Sequence, residues 1–152
     1  MASNSNTCNN ALISVRHSKP QLVVPAKPTP NEAKHLSDLD DQEGLRMQLS
    51  FIMFYKCNPT MKEFDPAKVI KRGISEALVH YYPLAGRVTE GPNRKLMVQC
   101  SGEGVLFVEA EADVSLDKLG DSIAPPCPHR KQFLYEVPAS EGILGCPLLL
   151  IQ

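Results

Sequence analysis

Asp65-Pro-Ala-Lys-Val-Ile-Lys-Arg-Gly-Ile-Ser-Glu-Ala-Leu-Val-His-Tyr-Tyr-Pro-Leu-Ala-Gly-Arg87 is the stretch from which the fold is read. Asp65 suits a helix N-cap and Pro66 the first helical position, where a missing N–H costs nothing. Ala67, Ile70, Ile74, Ala77, Leu78 and Tyr81 recur at steps of three or four, which predicts a helix over 65–82 with one apolar stripe. Lys68, Lys71, Arg72, Ser75 and Glu76 then face elsewhere. Gly73 costs about 1 kcal/mol against Ala inside a helix, and close packing on a sheet would explain it. Pro83 stops the helix and biases Tyr82 away from helical backbone. Gly86 permits a tight turn into a strand starting at Arg87. The Arg87 guanidinium is expected to tie strand and helix together through carbonyls or a carboxylate.

Toward the C-terminus the pattern changes to period two. Arg87 to Glu90, Lys95 to Cys100 and Val105 to Ala110 read as strands. The turns Gly91-Pro92-Asn93 and Ser101-Gly102-Glu103-Gly104 separate them as hairpin loops would. Val105 to Val108 is apolar at every position, as in a strand covered on both faces. Ser115 to Leu119 predicts a short helix, Pro125, Pro126 and Pro128 a loop, and Phe133 to Val137 an extended segment. Cys146-Pro-Leu-Leu-Leu-Ile-Gln152 is an apolar strand with no closing turn or charge. Such an edge invites pairing, and the chain is expected to be truncated or to continue elsewhere.

Toward the N-terminus, Leu45, Met47, Leu49, Phe51, Met53 and Tyr55 alternate along Leu45 to Cys57, which predicts a long strand. Ile52 and Phe54 fall on its other face. The acidic run 35–43 reads as a solvated turn or as helix caps. Three prolines exclude regular structure from Pro25 to Pro30. Gln21 to Val24, and Leu12, Ile13 and Val15, read as short strands. Residues 1–10 are polar and Asn/Ser-rich, as in a disordered tail.

Composition narrows the function classes. The 152 residues are 43% hydrophobic and 22% charged with a net charge of −1, which is one globular domain with a real core. Sixteen basic against 17 acidic residues leave no electrostatic footprint for nucleic acid. No apolar run of about 18 residues is present for a membrane span. The first 20 residues lack a signal-peptide pattern, and Met-Ala rather than Met-Gly excludes the myristoylation pattern. Cys8, Cys57, Cys100, Cys127 and Cys146 are odd in number and irregularly spaced, with no Cys-x-x-Cys pair. They are expected to be mostly buried, small apolar side chains in a reducing compartment, and the location expected is the cytosol.

Chemistry-bearing patterns are few. His17 lies by the first strand, His80 late in the helix and His129 in a proline-rich loop. His35 with Asp38 invites a dyad, although an exposed turn His beside capping carboxylates is the plainer reading. No His has an Asp four places on, and no Gly-x-Ser-x-Gly, Walker loop or dinucleotide-binding glycine pattern occurs. Ser101-Gly-Glu-Gly104 would cradle a phosphate only against the repulsion of Glu103. Taken residue by residue, this is a mixed α/β domain without an assignable active site.

Ser75-Glu-Ala-Leu-Val-His-Tyr-Tyr-Pro-Leu-Ala-Gly-Arg87, however, resembles the helix-to-strand segment of plant BAHD acyltransferases. Leu36-Ser-Asp-Leu-Asp40, Asp65-Pro66 and Gly102-Glu-Gly-Val-Leu-Phe-Val-Glu-Ala110 resemble the family in the same order, and Cys146 to Gln152 looks like the strand before its catalytic motif. The resemblance runs over about residues 12–152. Pro30-Asn-Glu-Ala-Lys34 and Asp40-Asp-Gln-Glu-Gly-Leu-Arg-Met-Gln48 look most like the alcohol acyltransferase and benzyl alcohol O-benzoyltransferase branch.

The resemblance implies an α+β fold: a mixed β-sheet with packed helices, the N-terminal part of a chloramphenicol-acetyltransferase-like domain. Residues 11–152 would form a partial N-terminal acyltransferase domain with the second domain absent. It implies ester formation from acyl- or benzoyl-CoA and an alcohol, with acyl-CoA as co-substrate, no metal or bound cofactor, no nucleic acid or membrane partner, and a monomeric complete enzyme. The family's base is the His of a His-x-x-x-Asp motif, and a second, structural motif is Asp-Phe-Gly-Trp-Gly. This chain contains neither and has no Trp, so no catalytic residue is assigned and the chain alone is expected to be inactive. Tyr82, Pro83, Leu84, Ala85, Gly86 and Arg87 would form a structural motif. Phe51 and Met53 would line the acceptor side of the substrate channel, although ordinary core residues is the plainer reading. The rival readings are a non-catalytic binding or interaction protein from the same family, and an enzyme using hydroxycinnamoyl or amine substrates.

Overall fold

Helix α1 (Pro66–His80) forms where the sequence predicts it. Asp65 caps it, its carboxylate accepting from the N–H groups of Ala67 at 3.0 Å and Lys68 at 3.5 Å, so two otherwise unpaired donors of the first turn are satisfied. The computed structural model describes residues 13–125, 127–135, 137 and 142–152. The expected tail 1–10 and the first residue of the strand expected from Leu12 lie outside them.

The packed face of α1 is rotated from the predicted stripe. Ala67 and Ile74 pack on a core of Val23, Leu78, Ala85, Val105 and Phe107, joined by Ile151. Ile70, Ala77 and Tyr81, expected on that face, are exposed. Lys71 and Ser75 take their place. The Ser75 hydroxyl donates to the Val24 carbonyl at 2.7 Å, and the Ala26 N–H donates to the Ser75 carbonyl at 2.8 Å. The Lys71 ammonium pairs with Glu109 and sits 5.1 Å from the Phe107 ring centroid. Beyond the end of β2 the backbone groups of Val24 and Ala26 need partners, which Ser75 supplies and Ile70 could not, while the Lys71 side chain lies by Phe107 and carries its charge out to Glu109. Gly73 has nothing within 4 Å of the place a Cβ would occupy, so close packing does not account for it.

Among the described residues eight short strands form three sheets rather than one. Strands β1 (Val15–His17) and β7 (Ala110–Ala112) make an antiparallel ribbon. Strand β6 (Val105–Phe107) runs antiparallel to β2 (Gln21–Val23) on one side and parallel to β8 (Leu150–Ile151) on the other. This is the mixed sheet, and its central strand is the apolar run at 105–108, where Val105, Phe107 and Val108 are buried. Strands β3 (Ala33–His35), β5 (Leu96–Gln99) and β4 (Arg87–Glu90) form an antiparallel sheet in that order.

The predicted strands at 87–90, 95–100 and 105–110 therefore exist, but not as a meander. β4 and β5 are a hairpin, whereas β5 and β6 belong to different sheets and Ser101 to Gly104 crosses between them. Within the hairpin turn, Asn93 and Arg94 carry φ of 58° and 61°. Arg130–Phe133 is a helical turn, α3, where extended chain is expected from Phe133, and α2 (Leu116–Leu119) follows Ser115 as predicted. Strand β3 falls at the start of the acidic run.

The long strand expected at Leu45 to Cys57 is absent. Glu43–Leu45 is a 3-10 turn, Arg46 and Met47 continue it as a bend, and residues 48–58 form no regular element and join no sheet. Ile52 and Phe54 turn inward, while the six alternating apolar residues face outward. Period-two alternation specifies an extended backbone with two faces; a strand also requires a neighbouring edge, and none of the described residues supplies one.

Cysteine burial is narrower than expected. Cys100 is buried, Cys57 is exposed, and Cys127 and Cys146 lie between; these four are free. Cys8 lies outside the described residues.

Candidate functional site

The motif residues Tyr82 to Arg87 build a corner between two sheets. Tyr82–Ala85 is a 3-10 turn directly after α1. Ala85 is fully buried, and its carbonyl accepts from the Gly104 N–H at 2.9 Å. The Tyr82 hydroxyl donates to Glu32 at 2.5 Å, and Lys34 lies over the Tyr82 ring at 5.5 Å. The Tyr82 hydroxyl and then Lys34 hold the Glu32 carboxyl below its ordinary value.

Arg87 is the buried charge of this corner. Its Nη1 donates to the Gly86 carbonyl at 2.7 Å and the Gly104 carbonyl at 2.9 Å. Its Nε faces the Glu103 carboxylate at 3.4 Å. The guanidinium thus bonds the head of β4 to the crossing before β6, and no contact from it to α1 is among these.

Two glycines make this approach close enough. Gly86 is extended, with φ −93° and ψ −160°, so it is not a left-handed turn. It is glycine because a Cβ would stand 2.3 Å from the Gln99 carbonyl oxygen. Gly104 has φ +97°, and a Cβ there would meet the Val23 carbonyl oxygen at 2.4 Å. Sequence reasoning missed the roles of Glu103 and Gly104. Their signal is a glycine on either side of Glu103, a pattern that a hairpin turn shares.

Phe51 and Met53, the residues singled out as an acceptor wall, stand together on the outward face of 48–58. Of the two cavities that the described residues form most clearly, neither includes them. A polar one of about 160 Å³ is lined by Asp41, Glu43, Arg46, Asn93 and Arg94. An apolar one of about 40 Å³, with room for little more than a water, lies among Gln48, Leu106, Val137, Cys146, Pro147 and Leu150.

The described side chains bring no acid–base pair together. Asp38 pairs with Lys95 at 2.5 Å rather than with His35. His129 Nδ1 lies 3.0 Å from the Gln132 side-chain oxygen, and the His17 ring meets Tyr135 at 5.2 Å with a tilt of 55°. Burial, and secondarily Glu32, pushes the Cys100 thiol up, which suits packing rather than nucleophilic attack. No cluster of three or more metal-ligating side chains occurs among the described residues, and no helix among them is long and apolar enough to cross a membrane. What the arrangement provides is a rigid corner and an exposed apolar wall.

Residues 13–152 match the profile of the Transferase family. The chain is 59% identical over 143 residues to alcohol acyl transferase 1, allele GSa, of Malus domestica, matching 93% of this chain and 31% of that protein. It is 60% identical to Malus domestica alcohol acyl transferase 2 with the same coverage. It is 56% identical to the benzyl alcohol O-benzoyltransferase of Nicotiana tabacum, over 97% of this chain and 32% of that protein. Among solved structures, vinorine synthase aligns with 69% of this chain and 25% of its own at 25% identity and a TM-score of 0.46. The chain thus spans about a third of the length of these curated relatives.

Proposed function

The chain belongs to the Transferase family, the plant BAHD acyltransferases, and from that premise we propose that it is the N-terminal part of an acyl-CoA-dependent alcohol O-acyltransferase. The observation that carries this reading is the 59–60% identity to two alcohol acyl transferases over 93% of the chain. The reaction moves an acyl group from the coenzyme A thioester sulfur to an alcohol oxygen. The alcohol loses its proton to a base, its oxygen attacks the thioester carbonyl, and the thiolate leaves and is protonated.

This chain's share of that chemistry is scaffold and wall. The corner from Tyr82 to Arg87 joins the end of α1 to the β4 hairpin and ties that hairpin to the crossing before the mixed sheet. Phe51 and Met53 form an apolar surface for the alcohol once an opposing surface closes over it. An aromatic and a thioether suit benzyl or aliphatic alcohols better than polyhydroxylated acceptors. No base is contributed, because no His-x-x-x-Asp occurs in residues 1–152. A positioned base is worth about 10²–10⁴-fold, so the chain alone is inactive. The location that goes with this reading is the cytosol, supported by the four free cysteines.

The test uses two proteins. The first is the purified 152-residue chain. The second is a chimera in which it replaces the matching segment of Malus domestica alcohol acyl transferase 2. Each is assayed with acetyl-CoA or benzoyl-CoA and hexanol or benzyl alcohol. The expected result is no turnover by the first and ester formation by the second. Turnover by the chain alone overturns the scaffold role, and a folded chimera inert toward every pair overturns the alcohol acyltransferase assignment.

A further inference from the structure

Phe51 and Met53 lie between two residues that α3 holds. On one side the Arg130 guanidinium donates to the Ser50 carbonyl at 3.4 Å. On the other the Phe133 ring meets the Phe54 ring edge-on, with centroids 6.2 Å apart. Residues 48–57 make no backbone-to-backbone hydrogen bond among the described residues, so no sheet fixes where these side chains stand. Ile52 and Phe54 are the two residues of 48–58 that are not exposed. The Arg130 contact is long and open to water, so the ring pair is the stronger of the two holds.

α3 cannot keep its own place. It is a single turn of four residues, too short to be stable as an isolated helix. Two neighbours fix it. The buried His129 ring meets Phe133 edge-on at 6.5 Å. Gln152 reaches the turn from β8: its side-chain amide donates to the Phe133 carbonyl at 2.6 Å, and its side-chain oxygen accepts from the Tyr135 N–H at 2.7 Å. That carbonyl is one of those a helix end leaves without a partner inside the helix. A side-chain amide offers a donor and an acceptor together, which neither a carboxylate nor a thioether does. β8 is bonded in turn to the chain at the end of the buried central strand, where the Val108 N–H donates to the Ile151 carbonyl at 2.9 Å. The contacts form one path: from β6 to β8 through the backbone, from β8 to α3 through Gln152, and from α3 to Phe54 through Phe133.

We propose that Gln152 and Phe133 are positioning residues for the alcohol: through α3 they register Phe51 and Met53 against the mixed sheet and so set how the alcohol fits that wall. The inference rests on the acyltransferase reading, in which Phe51 and Met53 face the alcohol, and adds the residues that place them.

The test uses the chimera described above, with hexanol and benzyl alcohol as acceptors. Phe133→Leu removes the ring edge and keeps most of the volume. Gln152→Met keeps the length and removes both hydrogen bonds. Each is expected to raise the KM for benzyl alcohol about 2–10-fold, the worth of one such contact, and to change the preference between the two alcohols. kcat and the KM for acyl-CoA stay as they are, because the binding lost is that of the alcohol alone. The double variant raises KM no further than the larger single change, since both substitutions break the same path. Phe133→Tyr retains the ring and the unsubstituted KM, and Lys131→Ala, at an exposed position of the same turn, changes nothing. Circular dichroism checks the fold of each variant, and Phe133→Leu, the milder change, decides alone if Gln152→Met does not fold. The inference is overturned by an active chimera whose KM for both alcohols is unmoved by Phe133→Leu and Gln152→Met, or by single effects that multiply in the double variant. Equal losses toward alcohol and acyl-CoA overturn it as well, because they mark a general loosening of the fold. A folded, unsubstituted chimera that is inert overturns the acyltransferase reading instead, so the two failures are told apart.

Discussion

Replacing Arg87 with methionine removes every donor from the corner while keeping most of the volume. The guanidinium donates to two backbone carbonyls, Gly86 at 2.7 Å and Gly104 at 2.9 Å, in a site where Arg87 is 8% exposed. A hydrogen bond to a charged donor contributes about 1.5–3 kcal/mol, and a carbonyl left unpaired costs about 1–3 kcal/mol. The two quantities describe the same loss and are not summed for one carbonyl. Two carbonyls therefore put Arg87→Met at about 3–5 kcal/mol, a large fraction of the 5–15 kcal/mol typical of a domain. With a urea slope of about 2 kcal/mol per molar, the unfolding midpoint falls by about 2 M. The ion pair to Glu103 is the smaller part: it spans 3.4 Å and Glu103 is half-exposed, so Glu103→Gln costs less than about 1 kcal/mol. Urea titrations of the three proteins, followed by circular dichroism, separate these contributions. The reasoning fails if Arg87→Met costs under 1 kcal/mol, or if Glu103→Gln costs as much as Arg87→Met.

Gly86→Ala places a methyl 2.3 Å from the Gln99 carbonyl oxygen; both are backbone-bound, so it should destabilise by about 1–3 kcal/mol or more, seen as a lower thermal midpoint. Gly73→Ala goes the other way: the position is open, so the gain is about 0.5–1 kcal/mol, and an unchanged or lower midpoint would count against that exposure. Acid weakens the fold through Glu32, Asp38 and Asp65, whose carboxyls are held below their ordinary values by Tyr82, Lys95 and Lys68 respectively. Because their folded values are the lower ones, their contribution is present above about pH 4 and is lost as pH falls further. Urea midpoints at pH 7, 5, 4 and 3 should hold between the first two and drop across the last two, less steeply in Asp38→Asn.

Local signals were readable where the chain carries its own instructions. Asp65 and Pro66 start α1 within one turn, Pro83 ends it, and the all-apolar run from Val105 marks the strand covered on both sides. The same letters fail where a partner decides. Which side of α1 packs depends on the carbonyl of Val24, 51 residues away from Ser75 in sequence, so the choice of Ser75 over Ile70 has no local trace. Gly86 and Gly104 were legible as glycines, but their reason is a distant carbonyl in each case, at Gln99 and Val23. Alternation along Leu45 to Tyr55 separates an inner side only at Ile52 and Phe54, since Gln48 and Ser50 are exposed like their neighbours, and it could not supply the neighbouring edge. The candidate site divides the same way: the corner motif was legible as a unit because it is contiguous, whereas Glu103, which completes it, lies 16 residues on from Arg87.

The ribbon of β1 and β7 has a consequence for how the molecule loosens. Its six residues are exposed or nearly so, and it is held by the Ser14 N–H to Asp113 at 3.0 Å and an Arg16–Glu111 pair open to water. Two strands without a covered face are marginal in water. Their amides should therefore exchange with solvent first, long before those of β6, and trypsin should find Arg16 while the buried run behind it is still intact.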